Sequence, residues 1–123
     1  MINRQRIVYE QFLNPPGYSA QFEGSGWRDP SGFGASEYEA KVMLTAQIAR
    51  MDDSGDLETA LGVLATEYDV IRDAVVCART EAHKLMEAAQ SHKQLEKRGI
   101  VATAQHWRTA AGVLRDFADA MPQ

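Results

Sequence analysis

The sequence predicts an all-α protein: a long central helix flanked by antiparallel helices, in a helical hairpin or bundle with a coiled-coil-like seam. Three observations lead there. Apolar residues recur at alternating steps of four and three from Leu57 to Ala89, alanine is abundant and glycine scarce after residue 35, and a helix-capping signal opens that region. Residues 1–35 differ in kind and predict an irregular, aromatic- and Gly/Pro-rich N-terminal segment. A chain of 123 residues with 45% hydrophobic and 24% charged content is the size and composition of one globular domain.

The N-terminal segment holds five of the nine glycines (Gly17, Gly24, Gly26, Gly32, Gly34) and three of the four prolines (Pro15, Pro16, Pro30). That density breaks long regular elements. With Tyr38 it also holds seven of the ten aromatics, which need burial and so argue against a loose tail. A short helix or strand is expected over residues 4–13, ending before Pro15, and an ordered loop pinned by aromatics over 14–35.

Helix signals begin with Ser36-Glu37-Tyr38-Glu39, which fits a capping box with Ser36 as N-cap and Glu39 reaching back. This predicts a first helix over about 37–52. Asp53-Ser54-Gly55 reads as a tight turn and Asp56 as the next cap. The long seam then runs Leu57, Leu61, Leu64, Tyr68, Ile71, Val75, Ala78, Ala82, Leu85, Ala89, with a second stripe through Ala60, Val63, Val70, Ala74 and Cys77. Lys97-Arg98-Gly99 resembles a helix C-terminus. Past it the apolar phase shifts by one residue, and Ile100, Ala104, Trp107, Ala111, Leu114, Ala118 and Met121 predict a last helix over about 101–120.

One uninterrupted helix over 56–98 would be about 64 Å long at 1.5 Å per residue. A compact monomer of this size is only about 35 Å across. Either the helix breaks near Gln90-Ser91, or the molecule is elongated and its apolar stripes need cover from a second copy, another protein or the N-terminal segment. Residues 52–73 carry seven acids against Arg72, and residues 79–98 carry five cations against three glutamates. Two antiparallel copies would match these halves, so a homodimer is expected. The same asymmetry also complements each half's own helix dipole.

Signals for chemistry are weak. His83 and Glu87, and His92 and Glu96, have i,i+4 spacing, but the two pairs point in opposite directions on one helix and read as surface pairs. Asp52–Glu58 fails the spacing of a calcium loop. Gly24-Ser25-Gly26-Trp27-Arg28-Asp29 lacks the third glycine and the Lys-Ser/Thr of a phosphate loop and reads as a turn. Cys77, the only cysteine, lies on an apolar stripe, and it excludes an intramolecular disulfide. No metal, no cofactor and no catalytic residue is predicted. A net charge of −4, with no aromatics among the clustered cations, argues against nucleic acid. The polar N-terminus and the lack of any transmembrane stretch predict a cytoplasmic protein with no membrane contact.

The sequence therefore predicts a non-enzymatic protein–protein interaction module, self-associating, that binds or inhibits a macromolecular partner it does not identify. Trp27, Phe22, Arg28 and Phe33 are the expected partner-binding residues, since tryptophan and arginine on an irregular segment are enriched at binding hot spots. The competing reading has Trp27 only pinning the loop. The alternative function is a helical homo-oligomer that binds a small ligand such as a nucleotide through Arg28, Arg79, His83 and Lys84.

Overall fold

The computed structural model describes residues 3–26, 29–50 and 68–120, with side chains from Arg6 onward. The fold is mixed rather than all-α: a three-stranded antiparallel sheet precedes the helices. Strands β1 (Asn3–Leu13), β2 (Pro16–Glu23) and β3 (Ser31–Gly34) lie in sequence order. Helices α1 (Glu37–Arg50), α2 (Tyr68–Ala89) and α3 (Gln94–Ala120) follow. The expected turn at Asp53–Gly55, the cap at Asp56 and the seam from Leu57 to Leu64 lie outside the described residues.

Residues 4–13, expected to form a short helix or strand, lie in β1, while β2 and β3 stand within the span expected to be an irregular loop. Ile7-Val8-Tyr9 brings the β-branched and aromatic residues that suit a pleated surface. Asn14-Pro15, joined by a cis peptide bond, connects β1 to β2 in two residues and sets Leu13 opposite Pro16 and Val8 opposite Gln21. Because strand side chains alternate, Ile7, Tyr18, Ala20 and Phe22 share one face and join the core, with Ala20 and Phe22 fully buried. Phe12, Gly17 and Phe33 share the other face. The two phenyl rings lie 5.9 Å apart, and a Cβ on Gly17 would come within 2.5 Å of the Phe33 ring.

Glycine in β3 provides clearance rather than a break. A Cβ on Gly32 would lie 2.1 Å from the Ala40 carbonyl oxygen and 2.2 Å from the Leu44 nitrogen, and one on Gly34 would lie 2.6 Å from Glu39 Cβ. Strand backbone therefore packs directly on helix backbone. Ser36 fixes where α1 starts: its Oγ accepts from the Glu39 N–H at 3.1 Å, and Glu39 Oε2 accepts from the Ala35 N–H at 2.9 Å.

Helix α1 is the hub. Its buried residues (Ala40, Val42, Leu44, Thr45, Ala46, Ile48, Ala49) spread over about two-thirds of its circumference at ~100° per residue. One side meets β2 and β3; the rest meets α2 and α3. Thr45, fully buried, has its hydroxyl satisfied by donating to the Lys41 carbonyl at 2.8 Å.

Helices α2 and α3 form a hairpin, so residues 68–98 are not one rod. Three i→i−3 bonds, from the N–H groups of Gln90, Ser91 and His92 to the carbonyls of Glu87, Ala88 and Ala89, tighten the end of α2; the Lys97 N–H to Lys93 carbonyl bond, at 2.8 Å, opens α3. The one-residue phase change in the apolar seam marks this turn. Lys97-Arg98-Gly99 is consequently no helix terminus: α3 runs straight through it. Ile71, Val75, Ala78 and Ala82 of α2 are buried with Ala104, Trp107, Ala111, Leu114 and Ala118 of α3 in one core. Over the described residues the apolar seam is covered by the same chain. Arg50, at the end of α1, lies over the Trp107 ring at 5.2 Å and ties α1 to α3.

Two glycine substitutions should act in opposite directions. Gly32→Ala meets helix backbone that cannot swing aside and is expected to destabilise the fold by about 3 kcal/mol. Gly99→Ala, with nothing within 4 Å of the added Cβ and a helical backbone around it, should stabilise by about 0.5–1 kcal/mol. Urea denaturation midpoints measure both, and a loss of stability in Gly99→Ala would put a helix end back at that position.

Candidate functional site

A cleft of about 410 Å³ opens where the end of β3, one flank of α1 and the middle of α2 meet. Phe33 and Gly34 come from β3, Tyr38, Glu39, Val42 and Met43 from α1, and Asp73 and Cys77 from α2. The contact of β3 on α1 at Gly32 sets the first wall against the second. Helical spacing does the rest, because Tyr38 and Val42, like Asp73 and Cys77, are four residues apart and share a face. A second hollow, of about 370 Å³, runs along Gln94, Lys97, Arg98, Val101 and Ala102. Its described lining comes from one helix only, so the first cleft is the better-walled site.

The floor of the cleft is apolar and soft. Val42 is buried, Met43 and Cys77 are half-buried, and the Cys77 thiol contacts the Met43 sulfur at 3.8 Å. Phe33 remains 49% exposed at the rim. Val76, 57% exposed, stands on the same flank of α2 three residues after Asp73.

The rim is acidic. Tyr38 donates its hydroxyl to Asp73 Oδ2 at 2.5 Å, which latches α1 to α2 across the mouth. Arg72 lies 3.4 Å from Asp69 and 3.8 Å from Asp73, so one cation sits beside two carboxylates, and Glu39 adds a third. Donation to Asp73 pushes the Tyr38 phenol from its ordinary 10.0 up to about 12; partial burial and the charges of Asp73 and Asp69 act the same way, while Arg72 opposes them. Burial likewise pushes the Cys77 thiol up, with help from Glu81 and against Lys84. Both groups therefore hold their protons at neutral pH.

The described residues among those singled out in the sequence do not assemble into one site. Phe33 lines the cleft. Phe22 is 1% exposed and lies in the core between the sheet and α1, while Trp27 and Arg28 lie outside the described residues. The glycine-containing turn before them closes on Asp29, whose carboxylate accepts from the Gly26 N–H at 2.7 Å. Arg79, His83 and Lys84 project from the exposed side of α2, where His83 pairs with Glu87 at 3.1 Å and Lys84 with Glu81 at 3.7 Å. Neither cleft includes them. Among the described residues no group of three or more His, Cys, Asp or Glu side chains is placed to hold a metal ion, and no helix is long and apolar enough to cross a membrane. Sequence reasoning missed Tyr38 and Asp73. They lie 35 residues apart, and no local pattern links them.

The sequence matches no protein-family model, no curated protein and no solved structure.

The latch makes a measurable pH prediction. Tyr38 has a raised folded-state pKa, so its contribution to stability is complete below pH 10 and is lost as pH rises from 10 through about 12. In a chain whose other tyrosines are phenylalanine, tyrosinate absorbance should rise with a midpoint near 12 and fall back toward 10 in Asp73→Ala. An unchanged midpoint would remove the latch.

Proposed function

We propose that this protein is a non-enzymatic, self-associating interaction module that grips a partner protein in the cleft lined by Phe33, Val42, Met43 and Cys77. The supporting observation is the pairing of a soft apolar floor with an acidic rim, Asp73 and Glu39 on the cleft and Asp69 beside it. An apolar pocket ringed by carboxylates suits a segment that presents an aliphatic or aromatic side chain next to lysine or arginine. Methionine adapts to differing side chains, so the cleft accepts a class of segments rather than a single sequence. The net charge of −4 adds a longer-range attraction for a basic partner. Cytosol is the setting that suits a lone free thiol.

Selection from a displayed random-peptide library tests this. Enriched peptides should carry a large apolar residue beside a basic one, and their NMR shift changes should concentrate on Phe33, Val42, Met43, Asp73 and Cys77. Phe33→Ala and Asp73→Ala should each weaken binding about tenfold, equal to about 1.4 kcal/mol. No enrichment, or shift changes confined to other surfaces, would refute the cleft.

A further inference from the structure

We propose that a second copy of this chain adds to the open edge of β1, antiparallel and centred on Val8, to build a six-stranded sheet in the order β3-β2-β1-β1-β2-β3. The inference rests on the self-association included in the proposed function and assigns it a surface and a register.

Among the described residues the sheet has two edges, and they are built differently. β3 is four residues long, contains two glycines and is held against α1, so it offers little to an incoming strand. β1 spans eleven residues. From Arg6 to Leu13 none of its residues is buried; Tyr9 and Phe12 are each 37% exposed and Leu13 is 84% exposed. That stretch contains no lysine or proline, two of the devices that usually blunt an edge. The irregularity in its pairing with β2 falls between Asn3 and Ile7 and takes in Arg6; from Ile7 to Leu13 the pairing is regular. Among the described residues, helix α1 packs chiefly on β2 and β3 rather than on this strand.

The side chains of β1 complement themselves. Val8 and Glu10 share one face by alternation, Ile7 and Tyr9 the other, and the ion pair of Arg6 with Glu23 of β2, at 3.3 Å, brings Arg6 to the Val8 face, where Glu23 stands two residues from Gln21, the partner of Val8. In an antiparallel pair centred on Val8, Arg6 of each copy falls opposite Glu10 of the other, Val8 opposite Val8, and Ile7 opposite Tyr9. Opposite charges and aromatic–aliphatic neighbours are the favourable cross-strand pairs. A slip of two residues either way sets Arg6 against Val8 or Phe12. Larger slips bring Arg6 against Arg6 or Glu10 against Glu10. Odd slips turn the second sheet over, which sends its helices to the other side. In the Val8 register the two-fold axis stands perpendicular to the sheet, so both helical layers cover the same face.

Light scattering of the intact chain at micromolar concentration should give twice the 13.6 kDa chain mass. Glu10→Arg should weaken the dimer at least tenfold with helicity unchanged by circular dichroism, and Arg6→Glu combined with Glu10→Arg should restore it. Independently of any charge reversal, Val8→Cys in a Cys77→Ala background should cross-link readily under mild oxidation, because directly opposed residues lie about 4.5–5.5 Å apart at Cα. Ile7→Cys and Glu10→Cys in the same background should lag well behind. A monomeric wild type overturns the proposal, as does a dimer indifferent to Glu10→Arg, or cross-linking no faster at Val8 than at its neighbours. Failures can be told apart. A monomer that still binds selected peptides loses only the strand pairing, a dimer without Val8 cross-linking loses only this interface, and Phe33→Ala should leave the dimer intact.

Discussion

The contact of β3 backbone on α1 backbone constrains everything else in this molecule. Gly32 rests against the Ala40 carbonyl and the Leu44 amide at a separation that admits no side chain on the strand. Tyr18, Ala20 and Phe22 can then supply the apolar mass on one side of α1 while α2 and α3 supply it on the other. A helix buried around two-thirds of its surface has little freedom to slide or rotate. Its first turn, fixed by Ser36 and Glu39, holds Tyr38 and Glu39 at the mouth of the cleft. Fold and candidate site thus share one determinant.

The helical part was legible because its burial follows a regular period. Ile71, Val75, Ala78 and Ala82, then Ala104, Trp107, Ala111, Leu114 and Ala118, stand at the positions that helical spacing picks out, and all are buried. Beyond the helix or strand expected over 4–13, the sheet was illegible for a definite reason. Gly17, Gly32 and Gly34 look like chain breakers in the sequence, yet each sits in a strand because a ring or a helix backbone occupies the place of its Cβ. Lys97-Arg98-Gly99 misleads in the opposite sense: the chemistry of a helix terminus occurs inside a helix whose packing overrides it. The cleft was the least legible element. Phe33 was among the expected partner-binding residues, but the Asp73 latch depends on a tertiary contact between α1 and α2 that no periodicity encodes.

Chemically, the cleft is defined by protons that stay in place. Asp73 receives a hydrogen bond from Tyr38 and partial neutralisation from Arg72, so the acidic rim is structured rather than a loose accumulation of carboxylates. The sulfur pair beneath it, Met43 and Cys77, gives polarizable surface without a reactive thiolate. Under the proposed function, specific contacts at the rim and tolerant packing at the floor would together select a side-chain class.

The connections carry a kinetic consequence. β1 meets β2 across two residues, β3 runs into α1 across two more, and α2 turns into α3 across four. Most close partners are therefore neighbours along the chain, and the entropy lost in bringing them together is small. A nascent chain can complete the strands and α1 while the helical hairpin is still being synthesised, with the second face of α1 left as the docking surface on which that hairpin settles.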